Sequence, residues 1–276
     1  MATEELTTPK FSIITLSYNQ RPYLERAVES VLGQDWPRIE YIVVDPGSTD
    51  GSREFLDDRL ADVPGHLLFA PDRGPADGLN KGLGAATGDI IGCLNADDAY
   101  LPGAFLGVTD AFQRHPEATV LFGNGFKSRP NGKMRPFQST RFTPRRFAYG
   151  MSTVVQQATF FRRAGIAPVE FNVVNHTCWD AEFLVDIALA GGQMAHVPTD
   201  WGIFEIHADS ITGSGRLAHQ YWEDHRRIAS KVFGRQWRSS DELILQAARV
   251  VLRSRNLLRR PFEQAKPIRP LTSEVV

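Results

Sequence analysis

The stretch Asp89-Ile-Ile-Gly-Cys-Leu-Asn-Ala-Asp-Asp98 decides the fold, because a short apolar run stops abruptly in an amide and two carboxylates. The run suits a strand buried on both faces, and its polar stop suits a strand end. Directly upstream, Pro75 to Ala86 carries helical spacing, and His66-Leu-Leu-Phe-Ala70 reads as a strand before it. Farther upstream, Phe11-Ser-Ile-Ile-Thr-Leu-Ser17 and Glu40-Tyr-Ile-Val-Val-Asp45 are two more apolar, β-branched runs. Between them Leu24, Ala27, Val28, Val31 and Leu32 recur at helical spacing until Gly33, and Ser52 to Leu60 resumes that spacing. Strands alternating with helices imply right-handed crossovers and an α/β fold with a central, mostly parallel sheet flanked by helices. Ligands of such sheets bind at the carboxyl ends of the strands. Three polar clusters fall at such ends: Thr15 to Asn19, Asp45 to Asp50, and Asn95 to Asp98.

Downstream, the spacing predicts a helix over Gly103 to Arg114, strands over Ala118 to Asn124 and Val154 to Arg162, and a helix over Asp180 to Ala190. A short strand is expected over Met194 to Pro198, and Lys127 to Arg146, rich in Arg, Pro, Gly and Lys, reads as an irregular or hairpin region. From Leu217 helical patterns dominate and arginine is frequent, as in Arg253-Ser-Arg255 and Arg259-Arg260.

The chain has 276 residues, 42% hydrophobic and 23% charged, enough to bury a full core. A net charge of -1 argues against a nucleic-acid partner. Cys93 and Cys178 allow one disulfide at most, so a reducing cytoplasm is the simplest compartment. Residues 1 to 10 lack the apolar run of a secretory signal, and no run reaches the ~18 apolar residues of a spanning helix.

Adjacent carboxylates at a strand end repel one another unless a cation sits between them. Asp97 and Asp98 therefore suit a divalent ion, Mn²⁺ or Mg²⁺, which takes hard oxygen ligands and shares its coordination with substrate phosphates. An isolated Asn-Ala-Asp-Asp also reads as a turn or a helix cap, and its context decides between the two.

That context, from Asp72-Arg-Gly-Pro-Ala-Asp-Gly-Leu-Asn-Lys-Gly82 through Gly88-Asp89 to Leu94-Asn-Ala-Asp-Asp98, resembles the core of the family 2 glycosyltransferases. Upstream, Ser12 to Asn19 resembles the first strand of that family, and Val43-Val-Asp-Pro-Gly-Ser-Thr-Asp-Gly51 its second signature. Downstream, Gln156-Gln-Ala-Thr-Phe-Phe-Arg-Arg163 and Trp179-Asp-Ala-Glu-Phe-Leu184 are similar to its acceptor-side segments. The resemblance implies a GT-A nucleotide-binding fold and an inverting transfer of sugar from a nucleotide-sugar donor, UDP- or dTDP-linked, to an acceptor hydroxyl. Sugar, lipid-linked and other acceptors of cell-envelope polysaccharide or glycolipid synthesis are all compatible with it. The halves expected are 11–100 for the nucleotide sugar and 101–215 for the acceptor, with a helical extension over 216–260 and tails at 1–10 and 261–276.

Roles carry over position by position. The resemblance places Thr15, Ser17, Tyr18 and Asn19, then Asp45, Gly47 and Ser48, beside the nucleotide, with Asp45 on the base. It places Asp72, Asp77, Asn80 and Lys81, with Asn95, Ala96 and Asp97, along the ribose, diphosphate and donor sugar. Asp97 and Asp98 match the metal site, and His207, in the segment Phe204 to Gly215, is a further candidate for metal or phosphate. Asp180 matches the catalytic base, and Gln156, Gln157, Trp179 and Glu182 fall on the acceptor side. Pro46, Gly78-Leu79, Gln156 and Cys178 depart from the pattern without removing a carboxylate that the mechanism needs.

The segment Asp241 to Arg260 forms an apolar stripe with a basic end. It suits an anionic membrane surface, giving peripheral contact at the inner face, and equally a homodimer contact or packing on the catalytic domain. A nucleotidyltransferase would need a glycine-rich phosphate loop after the first strand, where this chain has Ser17-Tyr-Asn-Gln-Arg-Pro22. A non-catalytic nucleotide-sugar binder would share the pattern.

Overall fold

The computed structural model describes residues 8–129, 131–208 and 210–259, with side chains described except at 211–212 and 252–259. Residues 1–7 of the N-terminal tail, the tail 261–276 and the basic end expected after Val251 lie outside that description. The first half alternates β1 (Phe11–Leu16), α1 (Arg21–Leu32), β2 (Ile39–Val44), α2 (Ser52–Arg59), β3 (Gly65–Leu68), α3 (Pro75–Ala85) and β4 (Ile90–Asn95). Then come β5 (Ala99–Tyr100), α4 (Ala104–Arg114), β6 (Val120–Ser128), β7 (Arg135–Phe137) and α5 (Pro144–Ala148). A 3-10 turn over Gln156–Ala158 leads into β8 (Thr159–Arg162), α6 (Arg163–Ile166), α7 (Trp179–Leu189) and β9 (Met194–Glu205). The chain continues through α8 (Ile211–Ser214), α9 (Ala218–Phe233) and α10 (Ser239–Arg259).

These strands form one sheet in the order β3-β2-β1-β4-β8-β6-β9-β5, with β7 paired to β6. The first four are mutually parallel, and β8 runs antiparallel between β4 and β6. Two reversals restore the direction, so β6 and β9 point the same way as β4 and end on the same edge. That edge carries Asn95 to Asp98, Lys127 and His207 together.

Period-two alternation along β1 separates two cores. Phe11 and Ile13 join Leu24, Val28, Phe105, Phe160 and Trp201 on one face, under α1 and α4. Ile14 joins Leu79, Cys93, Phe161, Phe183 and Leu184 on the other, under α3 and α7. Proline in the first turns of α1 and α3 fixes helical φ where no backbone N–H is needed. Gly82 lets α3 approach β1: a Cβ there would stand 2.4 Å from Ile14 Cγ2.

Several boundaries differ from the sequence reading. The expected strand Val154–Arg162 begins as a 3-10 turn, because Gln156 and Gln157 turn their amides onto Cys93 O and the Asp98 carboxylate. The short strand expected at Met194 runs on to Glu205, past Pro198, since register shifts against β6 between Phe122 and Gly125 absorb the proline. The Arg/Pro-rich region contributes the β6–β7 hairpin and α5.

Candidate active site

A cleft of about 1220 Å³ opens along the carboxyl edge of the sheet. Of the residues singled out in the sequence, Ser17, Tyr18, Asn19, Asp72, Asn95 and Asp97 line it, as do Gln156, Gln157, Trp179, Asp180 and His207. Loops built for the purpose carry the first group. Asn19 takes a left-handed backbone with φ 51°, its N–H donates to Ser48 Oγ at 2.8 Å, and its Oδ1 accepts from Thr49 N–H at 2.9 Å. These bonds tie the loop after β1 to the loop after β2.

Asp45 sits beneath that junction, fully buried. Its Oδ1 accepts from the N–H groups of Gly47 (2.9 Å) and Ser48 (2.7 Å) and from Arg53 Nε (3.0 Å). Burial raises its proton affinity, but Ser48, Gly47 and Arg53 outweigh burial and hold the carboxyl below its ordinary range. Asp45 Oδ2 and Ser17 Oγ are buried polar atoms without a hydrogen-bond partner among the described residues. Orphans of that kind are rare; Ser17 lines the cleft and suits a ligand contact there, whereas Asp45 lies just behind the wall formed by Val44 and Pro46.

At the end of β4 the two carboxylates part company. Asp98 turns inward and is fully buried, its Oδ1 accepting from Glu205 N–H at 3.0 Å. Its Oδ2 accepts from Gln157 Nε2 at 2.7 Å and Asn95 Nδ2 at 3.0 Å. Burial and then the charge of Asp97 push Asp98 well above the usual carboxylate range, with the three donors pulling the other way. Asp97 instead faces the cleft, where its Oδ2 lies 3.0 Å from His207 Nε2. The His207 ring stacks on Tyr23 at 4.3 Å between centroids. Arg26 braces the pair by donating to Asp97 O at 2.6 Å and to Glu205 Oε2 at 2.9 Å.

This donor set fits a hard divalent cation. Asp97 Oδ2 and His207 Nε2, hydrogen-bonded to each other at 3.0 Å, are an oxygen and a nitrogen donor that would suit such a cation. Among the described residues no group of three or more His, Cys, Asp or Glu side chains could hold a metal. The remaining coordination positions would therefore fall to phosphate and water, the habit of Mg²⁺ in phosphate sites.

Asp180 enters from the first turn of α7, partly open to the cleft. Burial raises its proton affinity, opposed by the N–H groups of Ala181 and of Asp180 itself. Beside it, Gln156 Nε2 donates to Cys93 O at 2.8 Å, which fixes the amide orientation and leaves Oε1 a buried acceptor with no partner among the described residues. Gln156 and Asp180 also share the wall of a small cavity of about 20 Å³.

The other expected residues do not line the cleft. The Thr15 hydroxyl is spent on Tyr41 Oη at 3.1 Å inside the core, and Ala96 is fully buried. Gly47 and Ser48 act through their bonds to Asp45 and Asn19. Asp77 binds Arg73, Lys81 Nζ donates to Pro71 O at 2.5 Å, and the Asn80 amide pairs with both backbone groups of Phe171. These three brace the wall around Asp72 from outside. Glu182, expected on the acceptor side, is fully buried and accepts from Arg227 (2.6 and 2.7 Å), Lys231 (2.8 Å), Asn172 (3.0 Å) and Asn175 (2.8 Å). It clamps the start of α7 to α9. Its i+2 offset from Asp180 already pointed it to another face.

Sequence reasoning missed Tyr23, Lys127, Phe204, Arg216 and Tyr221 on the cleft wall. Lys127, Phe204 and Tyr221 reach the wall through pairing distant in sequence, of β9 with β6 and of α9 with α5 and α7, for which no local spacing gives a signal.

Solved structures share this fold. Staphylococcus aureus TarS 1-349 in complex with UDP-GlcNAc superposes with a TM-score of 0.66 at 20% identity, over 86% of this chain and 70% of TarS. The mannosyltransferase PcManGT of Pyrobaculum calidifontis, in complex with GDP-Man and Mn2+, gives 0.64 at 18% identity, over 96% of this chain and 79% of that one. In sequence, the chain is 37% identical over 114 residues to the uncharacterized glycosyltransferase alr2836 of Nostoc. That alignment covers 41% of this chain and 35% of the relative, about a third of its length. The signature described as "Glycosyl transferase family 2" spans residues 12–176, more than half of the sequence, and the chain belongs to that family.

Proposed function

We propose that the protein is an inverting, metal-dependent glycosyltransferase that moves a sugar from a UDP- or dTDP-linked donor to a hydroxyl of a glycan or lipid-linked acceptor. The observation that carries this reading is the placement of the Asp97–His207 pair and Asp180 on one cleft at the carboxyl edge of the sheet. The complexes of the two solved relatives with UDP-GlcNAc and with GDP-Man and Mn2+ support it by analogy of fold.

The loops after β1 and β2 bind the nucleoside, with Asp45 Oδ2, partnerless among the described residues, accepting the base imide N–H and Ser17 Oγ available for a further contact. Asp97 and His207 would hold Mn²⁺ or Mg²⁺, which would supply positive charge to the diphosphate leaving group. Asp98 does not ligate; its three hydrogen bonds fix the turn that presents Asp97. Asp180 accepts the proton of the acceptor hydroxyl as that oxygen attacks the anomeric carbon. The bond from that carbon to the diphosphate oxygen breaks, and the electron pair leaves with the nucleoside diphosphate. Attack from the face opposite the leaving group inverts the anomeric centre. Burial keeps Asp180 a stronger base than an exposed carboxylate, suited to this transfer.

The test is to incubate the full chain with Mn²⁺ and a panel of nucleotide sugars and acceptors, and to measure nucleoside diphosphate release. Release that depends on acceptor supports the reading. Pyrophosphate production would assign a nucleotidyltransferase instead, and binding without turnover across the panel would assign a binding protein.

A further inference from the structure

We propose that Lys127 forms an anion subsite on the acceptor side of the cleft, which takes a carboxylate or phosphate carried by the acceptor sugar. The inference rests on the glycosyltransferase reading above and adds a substrate class to it.

Lys127 lies near the end of β6 and lines the cleft. Its ammonium stands 3.9 Å from the centre of the Phe137 ring and 6.0 Å from that of Phe204. Both rings also line the cleft, so the cation is set in an aromatic wall. None of its ion pairs is with a carboxylate of the described residues, although Glu205 is close in sequence to Phe204; Glu205 is taken by Arg26 at 2.9 Å. A half-buried ammonium beside a like charge, here Arg129, is a costly arrangement without an anion. Burial first, and Arg129 second, depress its proton affinity.

Strand order gives the subsite its side. β6 lies on the far side of β4 from β1 and β2, so Lys127 belongs to the half of the sheet away from β2 and Asp45. The nucleoside end and the ammonium therefore lie on opposite sides of β4. A sugar ring packed on Phe137 or Phe204 would present its ring substituents to the ammonium, and an anionic substituent would complete the pair. The neighbouring Phe142 and Phe147 extend the same wall.

Calorimetric titration tests this on the full chain saturated with UDP and Mn²⁺, using methyl glucuronide, glucose 1-phosphate and the neutral methyl glucoside as probes. One or both anionic probes should bind at least about tenfold tighter than methyl glucoside, and the arm that does so identifies the anion. Lys127→Met should abolish that preference, Lys127→Arg should keep part of it, and both should bind UDP within about twofold of wild type. Equal binding of charged and neutral probes to the UDP-saturated protein would overturn the subsite alone. A tenfold loss of UDP affinity in Lys127→Met would also overturn it, by assigning the ammonium to the donor. Failure of wild type to bind UDP with Mn²⁺ would overturn the subsite together with the reading beneath it.

Discussion

Asp97 Oδ2 lies 3.0 Å from His207 Nε2, joining the end of β4 to the segment after β9 across 110 residues of sequence. This contact brings a carboxylate and an imidazole together on the cleft, in place of the pair of neighbouring carboxylates in the sequence. The third party, Asp98, lies behind them and holds the turn. Because Glu205 N–H donates to Asp98 and Arg26 bridges Asp97 O to Glu205, the strand ends carrying Asp97 and His207 are locked together.

His207→Ala should therefore behave as a ligand loss rather than a folding defect. UDP affinity measured with Mn²⁺ should fall by roughly 10- to 100-fold, while affinity without metal changes little. A melting temperature within a few degrees of wild type should accompany it. Equal loss with and without Mn²⁺ would remove His207 from the metal site.

For Asp98 the expectation is the reverse. Asp98→Ala strands the buried donors Gln157 Nε2, Asn95 Nδ2 and Glu205 N–H, and each unsatisfied donor costs about 1 to 3 kcal/mol. Denaturant unfolding should show a loss of about 3 kcal/mol or more, with donor binding weakened as a consequence. A stable variant that loses only metal binding would show that Asp98 ligates directly.

Asp180→Asn should keep metal-dependent UDP binding and lower turnover about 10²- to 10⁴-fold, the contribution of a general base. Activity requires the ionised carboxylate, so turnover should rise with pH through the proton affinity of Asp180. Since burial raises that affinity, the limb should lie above the ordinary carboxylate range. A pH–rate profile of kcat checks this, and normal turnover by the Asn variant would displace Asp180 as base.

Glu182 supplies a stability prediction. Burial tends to raise its proton affinity, but Arg227, Lys231, Asn172 and Asn175 bring it from 4.5 down to about 2. A lowered folded-state value means that its stabilisation is complete above about 4.5 and fades as pH falls toward about 2. Because Arg227 and Lys231 are about one third exposed, the effect should be nearer 2 kcal/mol than the full linkage value. Glu182→Gln should be destabilised at neutral pH and show a flatter acid limb in unfolding experiments; an unchanged acid limb would contradict the clamp.

The sequence made the parallel half of the fold legible because each strand there ends in its own local signal: Ser17 to Asn19, Asp45 to Ser48, Asn95 to Asp98. Asp97 lies in the last of these clusters and Asp72, Gln156 and Asp180 in the other segments that resemble the family, and all four line the cleft. What stayed hidden depends on three-dimensional partners. Thr15, Asn80 and Lys81 sit in or beside the motif segments, yet their polar groups are consumed by Tyr41, Phe171 and Pro71. The choice between Asp97 and Asp98 was set by Gln157 and Glu205, which lie far downstream. Lys127 carried no motif at all and gained its setting from Phe137 and Phe204 across strand pairs.

The most direct test of the central claim is a calorimetric titration of UDP into wild type, Asp97→Ala and Asp180→Asn, each with and without Mn²⁺. The account predicts that wild type and Asp180→Asn bind UDP at least about tenfold tighter with Mn²⁺, and that Asp97→Ala loses this gain. UDP binding that is the same with and without Mn²⁺, or an Asp97→Ala variant that keeps the full metal-dependent gain, would contradict it.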